Sequence, residues 1–215
     1  MGLDAEKRLA AEAAAELVED GMLVGLGTGS TVGYLLPALA RRGLRVRCVA
    51  TSPATESAAR ELGLAVESFS GTAAPARLDI AIDGADQVAE DGWLVKGGGA
   101  AHTREKAVAA AADRFVVVVD PSKLVERVAS PVPLELSVFG LAATLRRLGT
   151  VTLRDAAPSP DGGVLGDFTG TFDDARELAD RLSAEPGVVE HGLFPPELVS
   201  DVVVARGDAV EIRTL

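Results

Sequence analysis

The feature that most constrains the fold is an alternation of short apolar runs with helix-forming stretches over the first 125 residues. The apolar runs are residues 22–26, 45–50, 79–82, 93–95 and 115–119, and stretches rich in alanine, leucine and charged residues separate them. Short apolar runs bounded by glycine or polar residues are typical of buried strands, and the longer stretches are typical of helices. Strands that alternate with helices predict a parallel sheet with helices on both faces.

The first helix is expected over residues 5–19, with Asp4 as its N-cap and Gly21 at its end. After Pro131 the pattern changes. Strand-like and helix-like stretches then follow in the order β-α-β-β-α-β, which is that of a ferredoxin-like α+β unit. These stretches are residues 132–136, 138–148, 150–153, 164–168, 173–183 and 188–193. Two further strands, 201–205 and 209–213, are expected to return to the first sheet.

We therefore predict an α/β chain with two domains. Residues 1–130 and 200–215 are expected to form a Rossmann-like parallel-sheet domain, and residues 131–199 a smaller ferredoxin-like α+β lobe. The candidate catalytic residues described below all lie in the first domain. The small lobe is therefore interpreted as a packing or oligomerisation unit.

Charge and composition exclude several classes of function. The 21 basic and 32 acidic residues give a formal net charge of −11, which argues against a nucleic-acid partner. No apolar run reaches the roughly 18 residues of a membrane span, and the early acidic residues do not fit a signal peptide. Cys48 is the only cysteine, which excludes an internal disulfide and fits a reducing compartment. We expect a cytoplasmic protein that binds neither nucleic acid nor membrane.

The first candidate site follows the apolar run 93–95. Lys96 precedes three glycines, and an alanine-rich helical pattern with Glu105 in its first turn follows them. Glycines allow a ligand to approach bare backbone N–H groups, and the start of a helix attracts anions. The lysine adds a positive charge, and the glutamate supplies a carboxylate that can act as a base. The same pattern also fits a flexible loop before a surface helix.

A second glycine loop, residues 27–31, follows the run 22–26. Its sequence, Gly-Thr-Gly-Ser-Thr, is close to a dinucleotide-binding fingerprint, but Val32 stands where the third glycine is required. The chain also lacks a Walker-type phosphate loop. The loop is therefore interpreted as a hydroxyl-lined group of amides that suits a small phosphate or sugar hydroxyls. Thr51 and Ser52 follow the next strand and are expected to cap a helix.

Two acids, Asp83 and Asp86, follow the run 79–82. Acids three residues apart can flank one ligand, form a turn, or contribute to a metal site. The two histidines, His102 and His191, share no ligand spacing with these acids, so no metal is expected.

All of these motifs follow predicted strands, and Lys123 follows the strand 115–119 in the same way. In open α/β sheets, ligands bind outside the carboxyl ends of the strands. The positions of the motifs therefore predict one site at that edge of the parallel sheet.

These motifs, in this order, resemble the ribose-5-phosphate isomerase A family. The resemblance is carried by residues 25–31, 51–52, 83–86, 96–99, 103–106 and 122–123, and it continues through residues 186–189 and 192–194. Its most specific part is Asp-Gly-Ala-Asp at 83–86 together with Lys-Gly-Gly-Gly and Thr-Arg-Glu-Lys within 96–106. The match covers nearly the whole chain.

The resemblance implies an isomerase that interconverts D-ribose 5-phosphate and D-ribulose 5-phosphate through an enediolate, in the non-oxidative pentose phosphate pathway. It implies no metal or organic cofactor, and assembly as a homodimer or homotetramer. By motif position, Glu105 is the proton-shuttling base, and Asp83, Asp86 and Lys96 act on the substrate oxygens. The implied substrate-binding residues are Thr28, Gly29, Ser30, Thr31, Asp83, Gly84, Ala85, Asp86, Lys96, Gly97, Gly98, Gly99 and Lys123, with Lys7 as a phosphate contact.

Two positions depart from the family pattern. The family reads Asp-Gly-Ala-Asp-Glu, whereas this chain has Gln87 at the fifth place. The family also has an Asn-rich hairpin turn, where this chain has Asp-Gly-Gly at residues 161–163. Gln87 is expected to keep a hydrogen-bonding role and only to modulate the rate.

Other functions stay open at this point. A paralogue that isomerises another sugar phosphate fits the change at Gln87. A coenzyme A transferase would use Glu105 as an acyl nucleophile, a sugar-phosphate sensor would keep the loops without the chemistry, and an aldolase would form a Schiff base on Lys96. The short chain, the acidic charge and the missing nucleotide-binding loops favour the isomerase.

Overall fold

The structure is a computed structural model and describes residues 2–215. The helices are α1 (Leu3–Ala15), α2 (Ser30–Arg42), α3 (Pro53–Glu61), α4 (His102–Ala111), α5 (Leu141–Leu148) and α6 (Ala175–Ser183). The strands are β1 (Leu23–Leu26), β2 (Arg47–Ala50), β3 (Ala65–Val66), β4 (Ile80–Asp83), β5 (Gln87–Ala89), β6 (Leu94–Val95), β7 (Phe115–Val119), β8 (Leu124–Val125), β9 (Val132–Leu136), β10 (Val151–Leu153), β11 (Val164–Phe168), β12 (Val188–His191), β13 (Leu193–Phe194), β14 (Asp201–Arg206) and β15 (Ala209–Thr214).

The chain forms two compact units. The first reaches to Ala85 and also contains Arg104–Leu124 and Glu197–Leu215. The second contains Asp86–Thr103 and Val125–Pro196. The second unit includes residues 86–103 because β6 pairs with β13. That residues 1–130 with 200–215 fold as one domain, and residues 131–199 as the other, stays a prediction.

Within the described residues, the first unit is built on a seven-stranded sheet of order β15-β14-β7-β4-β1-β2-β3. Its strands are parallel except for β15, which pairs antiparallel with β14 at the edge. β7 reads Phe-Val-Val-Val-Val and is buried throughout, as expected for a parallel strand covered on both faces. The predicted parallel sheet is confirmed, and so is the return of the last two strands to it.

Helices cover both faces of this sheet. α1 and α2 pack together and share an apolar core with Val24 and Leu26 of β1. A Cβ at Gly25, between those two residues, would come 2.5 Å from Val108 of α4. Because successive side chains of a strand point to opposite faces, α4 lies on the side opposite α1 and α2. The first unit is therefore Rossmann-like.

The first helix begins and ends earlier than predicted. Asp4 lies in its first turn rather than at its N-cap, and the helix ends at Ala15 rather than near Gly21. An acid in the first turn still interacts favourably with the helix dipole. The guanidinium of Arg42 donates to the carbonyls of Ala15 and Val18, which satisfies backbone acceptors where the helix stops.

The second unit contains an antiparallel sheet of order β10-β11-β9-β12. α5 connects β9 to β10, and α6 connects β11 to β12, so the predicted ferredoxin-like order of elements is confirmed. The helices pack on an apolar core that includes Val132, Leu134, Leu136, Phe168, Leu178 and Leu182.

The apolar run before the triple-glycine loop was expected to be a strand of the parallel sheet, and this is wrong. β6 instead pairs antiparallel with β5 and β13, in a small sheet of order β13-β6-β5-β8. Gly92, with a φ of +86°, forms the turn between β5 and β6. Strands joined by so few residues form an antiparallel hairpin, because a parallel pair needs a crossover of about a dozen residues or more.

Candidate active site

The loop between β1 and α2 is in close contact with Asp83, the last residue of β4. A Cβ at Gly27 would lie 2.0 Å from Cγ of Asp83, so glycine is required there. Oδ1 of Asp83 accepts the N–H of Thr28 at 3.0 Å and the N–H of Gly84 at 2.7 Å. Asp83 is only 4% exposed, and these charge-assisted bonds hold its carboxylate in one orientation.

Hydroxyl groups line the same loop. Oγ1 of Thr28 lies 2.7 Å from Oγ1 of Thr51, and Oγ1 of Thr55 donates to the carbonyl of Gly27 at 2.9 Å. Ser52 is the N-cap of α3 and accepts the N–H of Thr55 at 3.2 Å, which confirms the predicted cap. These bonds tie the loop after β1 to the end of β2.

Gly29, Ser30 and Thr31 form the start of α2. Gly29 is the N-cap with a φ of +124°, a conformation that favours glycine. Within residues 2–215, no side chain caps this end of the helix. N–H groups of a first helical turn have no acceptor within the helix, and the helix dipole adds positive potential. This end of α2 is therefore suited to an anion.

Lys7 and Lys123 belong to one neighbourhood. Lys123 ends a short 3-10 helix, Pro121–Lys123, which Asp120 caps by accepting the N–H of Ser122 at 2.9 Å. Nζ of Lys7 lies 4.0 Å from Oδ2 of Asp120, and Asp120 is 2% exposed. Lys7 therefore lies beside the turn that carries Lys123.

Glu105 lies in the first turn of α4 and is 3% exposed. A negative charge is stabilised at this end of a helix by the dipole. The side chain is thus a carboxylate that bulk water hardly reaches.

The register of the sheet places the first-unit motifs along one edge. Leu26 pairs with Ala50 and with Ile82, and Asp83 pairs with Val117. The carboxyl ends of β1, β2, β4 and β7 are therefore adjacent. The loop after β1, the Thr51 turn, Asp83 and the Lys123 turn follow these ends.

In the second unit, Lys96 is held by the segment around β13. Its N–H donates to the carbonyl of Gly192 at 2.9 Å, and its Nζ lies 5.4 Å from the centre of the Phe194 ring. A Cβ at Gly192 would come 2.2 Å from the carbonyl oxygen of Lys96. Lys96 is 2% exposed, so its ammonium lies in a nearly dry, partly aromatic environment.

The triple-glycine loop is built around close contacts that only glycine allows. Gly97 has a φ of +110°, and a Cβ there would lie 2.7 Å from Nδ1 of His102. The N–H of Gly98 donates to Oδ2 of Asp86 at 2.8 Å. Gly99 is exposed. The structure thus brings Asp86 and the loop together within the second unit.

The sequence-predicted residues fall into two sets. Thr28 to Thr31, Asp83, Gly84, Ala85, Glu105, Lys123 and Lys7 belong to the first unit, whereas Asp86 and Lys96 to Gly99 belong to the second. The chain passes from one unit to the other between Ala85 and Asp86, and again between Thr103 and Arg104. The Asp-Gly-Ala-Asp motif at 83–86 crosses the first of these boundaries, and the segment from Lys96 to Glu105 crosses the second.

Sequence reasoning missed two polar residues of the second unit. Arg154 donates from Nη1 to the carbonyl of Gly97 at 2.8 Å. Glu135, 2% exposed, accepts from the hydroxyls of Thr103 and Ser159, and it packs where a Cβ at Gly163 would clash. An apolar strand interrupted by a glutamate, Val-Pro-Leu-Glu-Leu, was the available signal for Glu135. No local signal marks Arg154.

Two kinds of feature are absent from the part of the chain that the structure describes. Residues 2–215 contain no group of three or more His, Cys, Asp or Glu side chains arranged to hold a metal ion. Nor do they contain a helix of the length and apolarity that crossing a bilayer demands.

Known proteins of one family are similar to this chain over most of its length. The family model for ribose 5-phosphate isomerase A (phosphoriboisomerase A) matches residues 47–209. A ribose-5-phosphate isomerase A of Halobacterium salinarum is 48% identical over 97% of this chain and 95% of its own. The crystal structure of ribose 5 phosphate isomerase A from Neisseria gonorrhoeae has a TM-score of 0.93 at 30% identity, covering 99% of this chain and 97% of its own. A D-ribose-5-phosphate isomerase solved in complex with phospho-erythronic acid has a TM-score of 0.92 at 30% identity, covering 100% of both chains.

These matches extend over both units. The similarity to the Halobacterium relative covers nearly the full length, and it therefore includes the loop after β1, which lies outside the family-model match. The same α/β architecture recurs in the solved structures. The chain belongs to the ribose-5-phosphate isomerase A family.

Proposed function

We propose that this isomerase interconverts D-ribose 5-phosphate and D-ribulose 5-phosphate with Glu105 as the proton-shuttling base. The reaction moves a proton between C1 and C2 of the sugar through an enediolate, so one group must take the proton from one carbon and return it to the other. A positioned carboxylate is suited to this work. The observation that carries the assignment is Glu105 itself, 3% exposed in the first turn of α4, directly after the triple-glycine loop.

Lys96, Asp83 and Asp86 act on the substrate oxygens. A lysine ammonium stabilises the negative oxygen that develops as the enediolate forms, and it does so more strongly where water is scarce. The carboxylates of Asp83 and Asp86 accept backbone N–H groups, and a carboxylate, with about four acceptor sites, can receive sugar hydroxyls as well. Asp83 and Asp86 are three residues apart in the chain, which supports their action on one substrate.

The phosphate is bound by the first turn of α2 and by a lysine. The uncapped end of α2 at Gly29, Ser30 and Thr31 offers N–H groups, and Lys123 offers the charge. Lys7, beside the Lys123 turn, is a further contact. A solved relative binds phospho-erythronic acid, a phosphorylated sugar acid, which supports a ligand of this class.

The test is Glu105→Gln, which keeps the shape of the side chain and removes its basicity. We expect ribose 5-phosphate still to bind, while kcat falls by roughly 10²- to 10⁴-fold, the usual effect of losing a general base. In deuterated water, the wild type should incorporate deuterium at C1 or C2 of the sugar, and the variant should not. Rates and label are read by coupled assay and by NMR.

Glu56→Gln is the matched control, since Glu56 lies in the first turn of α3 and pairs with Arg60 of the same helix. This variant should keep the wild-type kcat. A Glu105→Gln protein that isomerises at nearly the wild-type rate would remove Glu105 from the mechanism, even though the family assignment would stand.

The quaternary and cellular setting is also part of the proposal. We propose a cytoplasmic homodimer or homotetramer that works in the pentose phosphate pathway without metal or organic cofactor. The exposed apolar pair Val138 and Phe139 supports self-association, and the single free thiol of Cys48 fits a reducing compartment. A wild-type enzyme that lost activity in EDTA and regained it with one divalent ion would contradict the cofactor-free mechanism.

A further inference from the structure

The peptide group between Gly97 and Gly98 is held at both of its polar ends. Its N–H, on Gly98, donates to Oδ2 of Asp86 at 2.8 Å. Its carbonyl, on Gly97, accepts from Nη1 of Arg154 at 2.8 Å and from the N–H of Ala100 at 3.1 Å. Asp86 and Arg154 are thus connected through a single planar unit, so a rotation of that plane moves both contacts together.

Arg154 is itself held in place. It follows β10, and its N–H donates to the carbonyl of Leu165 in β11 at 3.0 Å. Its guanidinium pairs with Asp167 of β11 through Nε at 2.8 Å and Nη2 at 2.6 Å. A two-point pair fixes the plane of a guanidinium, and the remaining nitrogen then points at Gly97. The pairing with Asp167, and secondarily the charge of Asp86, raise the pKa of Arg154, so it is always charged.

The loop needs such support because its own residues resist rotation poorly. Gly97 and Gly98 have no Cβ, and glycine populates many backbone conformations. Ala100, with a φ of +63°, holds a left-handed conformation that is unfavourable for an alanine. Such a conformation persists when surrounding contacts over-determine it, and Arg154 binds the same Gly97 carbonyl that accepts the N–H of Ala100.

We propose that Arg154, fixed by Asp167, is a positioning residue for the isomerisation: through the 97–98 peptide it sets the orientation of the Asp86 carboxylate. This inference rests on the proposed role of Asp86 at the substrate oxygens. It also gives the ferredoxin-like lobe a part in catalysis, beyond the packing or oligomerisation role expected from the sequence.

The primary test is Arg154→Gln, assayed as the full chain with ribose 5-phosphate. Misplacement of a catalytic group by about 1 Å can cost up to about 100-fold, so we expect kcat to fall by roughly 10- to 100-fold. KM should change much less, because the phosphate contacts lie in other loops. Arg154→Lys and Asp167→Asn should fall between the wild type and Arg154→Gln, since each keeps a positive charge at 154 but loses the two-point pair.

Arg147→Gln is the matched control. Arg147 makes a similar pair with Glu185, at 2.6 Å from Nη2 to Oε1, in the same unit. Its Nη2 also donates to Oγ1 of Thr144 at 3.5 Å, rather than to the glycine loop. If Arg154 serves only stability, the two glutamine variants should lose similar thermal stability and neither should lose kcat, which would overturn the inference.

A double-mutant cycle tests whether Arg154 acts through Asp86. Once Asp86→Asn has removed the carboxylate, adding Arg154→Gln should lower kcat by no more than about twofold, whereas independent effects would multiply. Multiplying effects would overturn the inference. An Asp86→Asn enzyme with wild-type kcat would instead refute the role of Asp86 in the proposed function. Should Arg154→Gln fail to fold, Arg154→Lys carries the same cycle.

Discussion

At the scale of single residues, Gln87 has a role that the family's usual glutamate cannot fill. Its Nε2 donates to the carbonyl of Ala129 at 2.9 Å, and its Oε1 accepts the N–H of Ala129 at 2.8 Å. An amide matches both groups, whereas a carboxylate only accepts. Gln87→Glu should therefore lower the free energy of unfolding by about 0.5–1.5 kcal/mol, measured by urea denaturation. Because the side chain faces backbone, kcat/KM should change by less than about tenfold, or 1.4 kcal/mol.

Gln87→Leu is the companion variant, since it removes both hydrogen bonds without adding charge. If Gln87→Glu loses more stability than Gln87→Leu, the excess is due to the charge. A gain of more than tenfold in kcat/KM for Gln87→Glu would show that this position limits the chemistry.

The candidate site residues that sequence alone could mark are those that follow a strand or a glycine loop. Lys96 and Glu105 belong to one strand–loop–helix stretch, and Asp83 ends a strand, so spacing alone marked them. Arg154 could not be found in this way, because its contact with Gly97 spans 57 positions. Glu135 contacts Thr103 across 32 positions. Contacts of that range depend on how sheets and loops pack, which spacing does not report.

At the scale of elements, the loop from β1 to α2 depends on the close approach of Gly27 to the side chain of Asp83. Gly27→Ala would place a methyl group 2.0 Å from Cγ of Asp83, so either the carboxylate or the loop must move. Overpacking of this kind costs about 1–3 kcal/mol, which we expect in urea denaturation together with a large loss of kcat/KM.

Gly33→Ala is the control for that variant, because Gly33 lies inside α2 with nothing within 4 Å of its added Cβ. Alanine is favoured over glycine in a helix by about 0.5–1 kcal/mol, so this variant should be more stable and equally active. A Gly27→Ala enzyme with wild-type stability and activity would mean that the loop adapts without cost.

The order of elements was easier to predict than their pairing. Periodicity identified the helices and the longer strands of both units, including the β-α-β-β-α-β order of the second. It assigned β6 to the wrong sheet, because an apolar run of two or three residues carries no information about its partners, and it missed the short strands β3, β5 and β8 altogether. The partners were decided by the turn at Gly92, which makes a hairpin.

At the scale of the whole molecule, the proposed self-association can be traced to one exposed side chain. Phe139 is 94% exposed between β9 and α5, and its neighbour Val138 is 66% exposed. A side chain of this size loses much unfavourable contact with water when a second copy covers it. Phe139→Ser should therefore shift the oligomer toward smaller species, measured by light scattering after size-exclusion chromatography.

Leu62→Ser serves as the control for that shift, since Leu62 is 43% exposed directly after α3. It should leave the mass of the assembly unchanged. Equal masses for wild type and Phe139→Ser, or a wild type that is monomeric, would contradict the proposed interface.

The unfolding of the first unit can be followed through Cys48, the only cysteine of the chain. It lies in β2, the second strand from one edge of the seven-stranded sheet, and is 0% exposed. Burial, with a smaller contribution from the charge of Glu67, raises the pKa of its thiol to about 12. Only the thiolate reacts with disulfide reagents. At pH 8, Ellman's reagent should therefore leave the native protein unlabelled and label one thiol per chain once urea unfolds it.

The labelling also tests how cooperative the parallel sheet is. If the sheet opens only as a whole, the urea dependence of labelling should coincide with the loss of far-ultraviolet circular dichroism, because exposure of β2 then requires global unfolding. Bound ribose 5-phosphate should shift both transitions to higher urea by the same amount, since a ligand of the native state stabilises the unit that holds it. Labelling well below the circular dichroism transition would show instead that the β2–β3 edge opens separately from β4, which ends in Asp83, and from β7, which Lys123 follows.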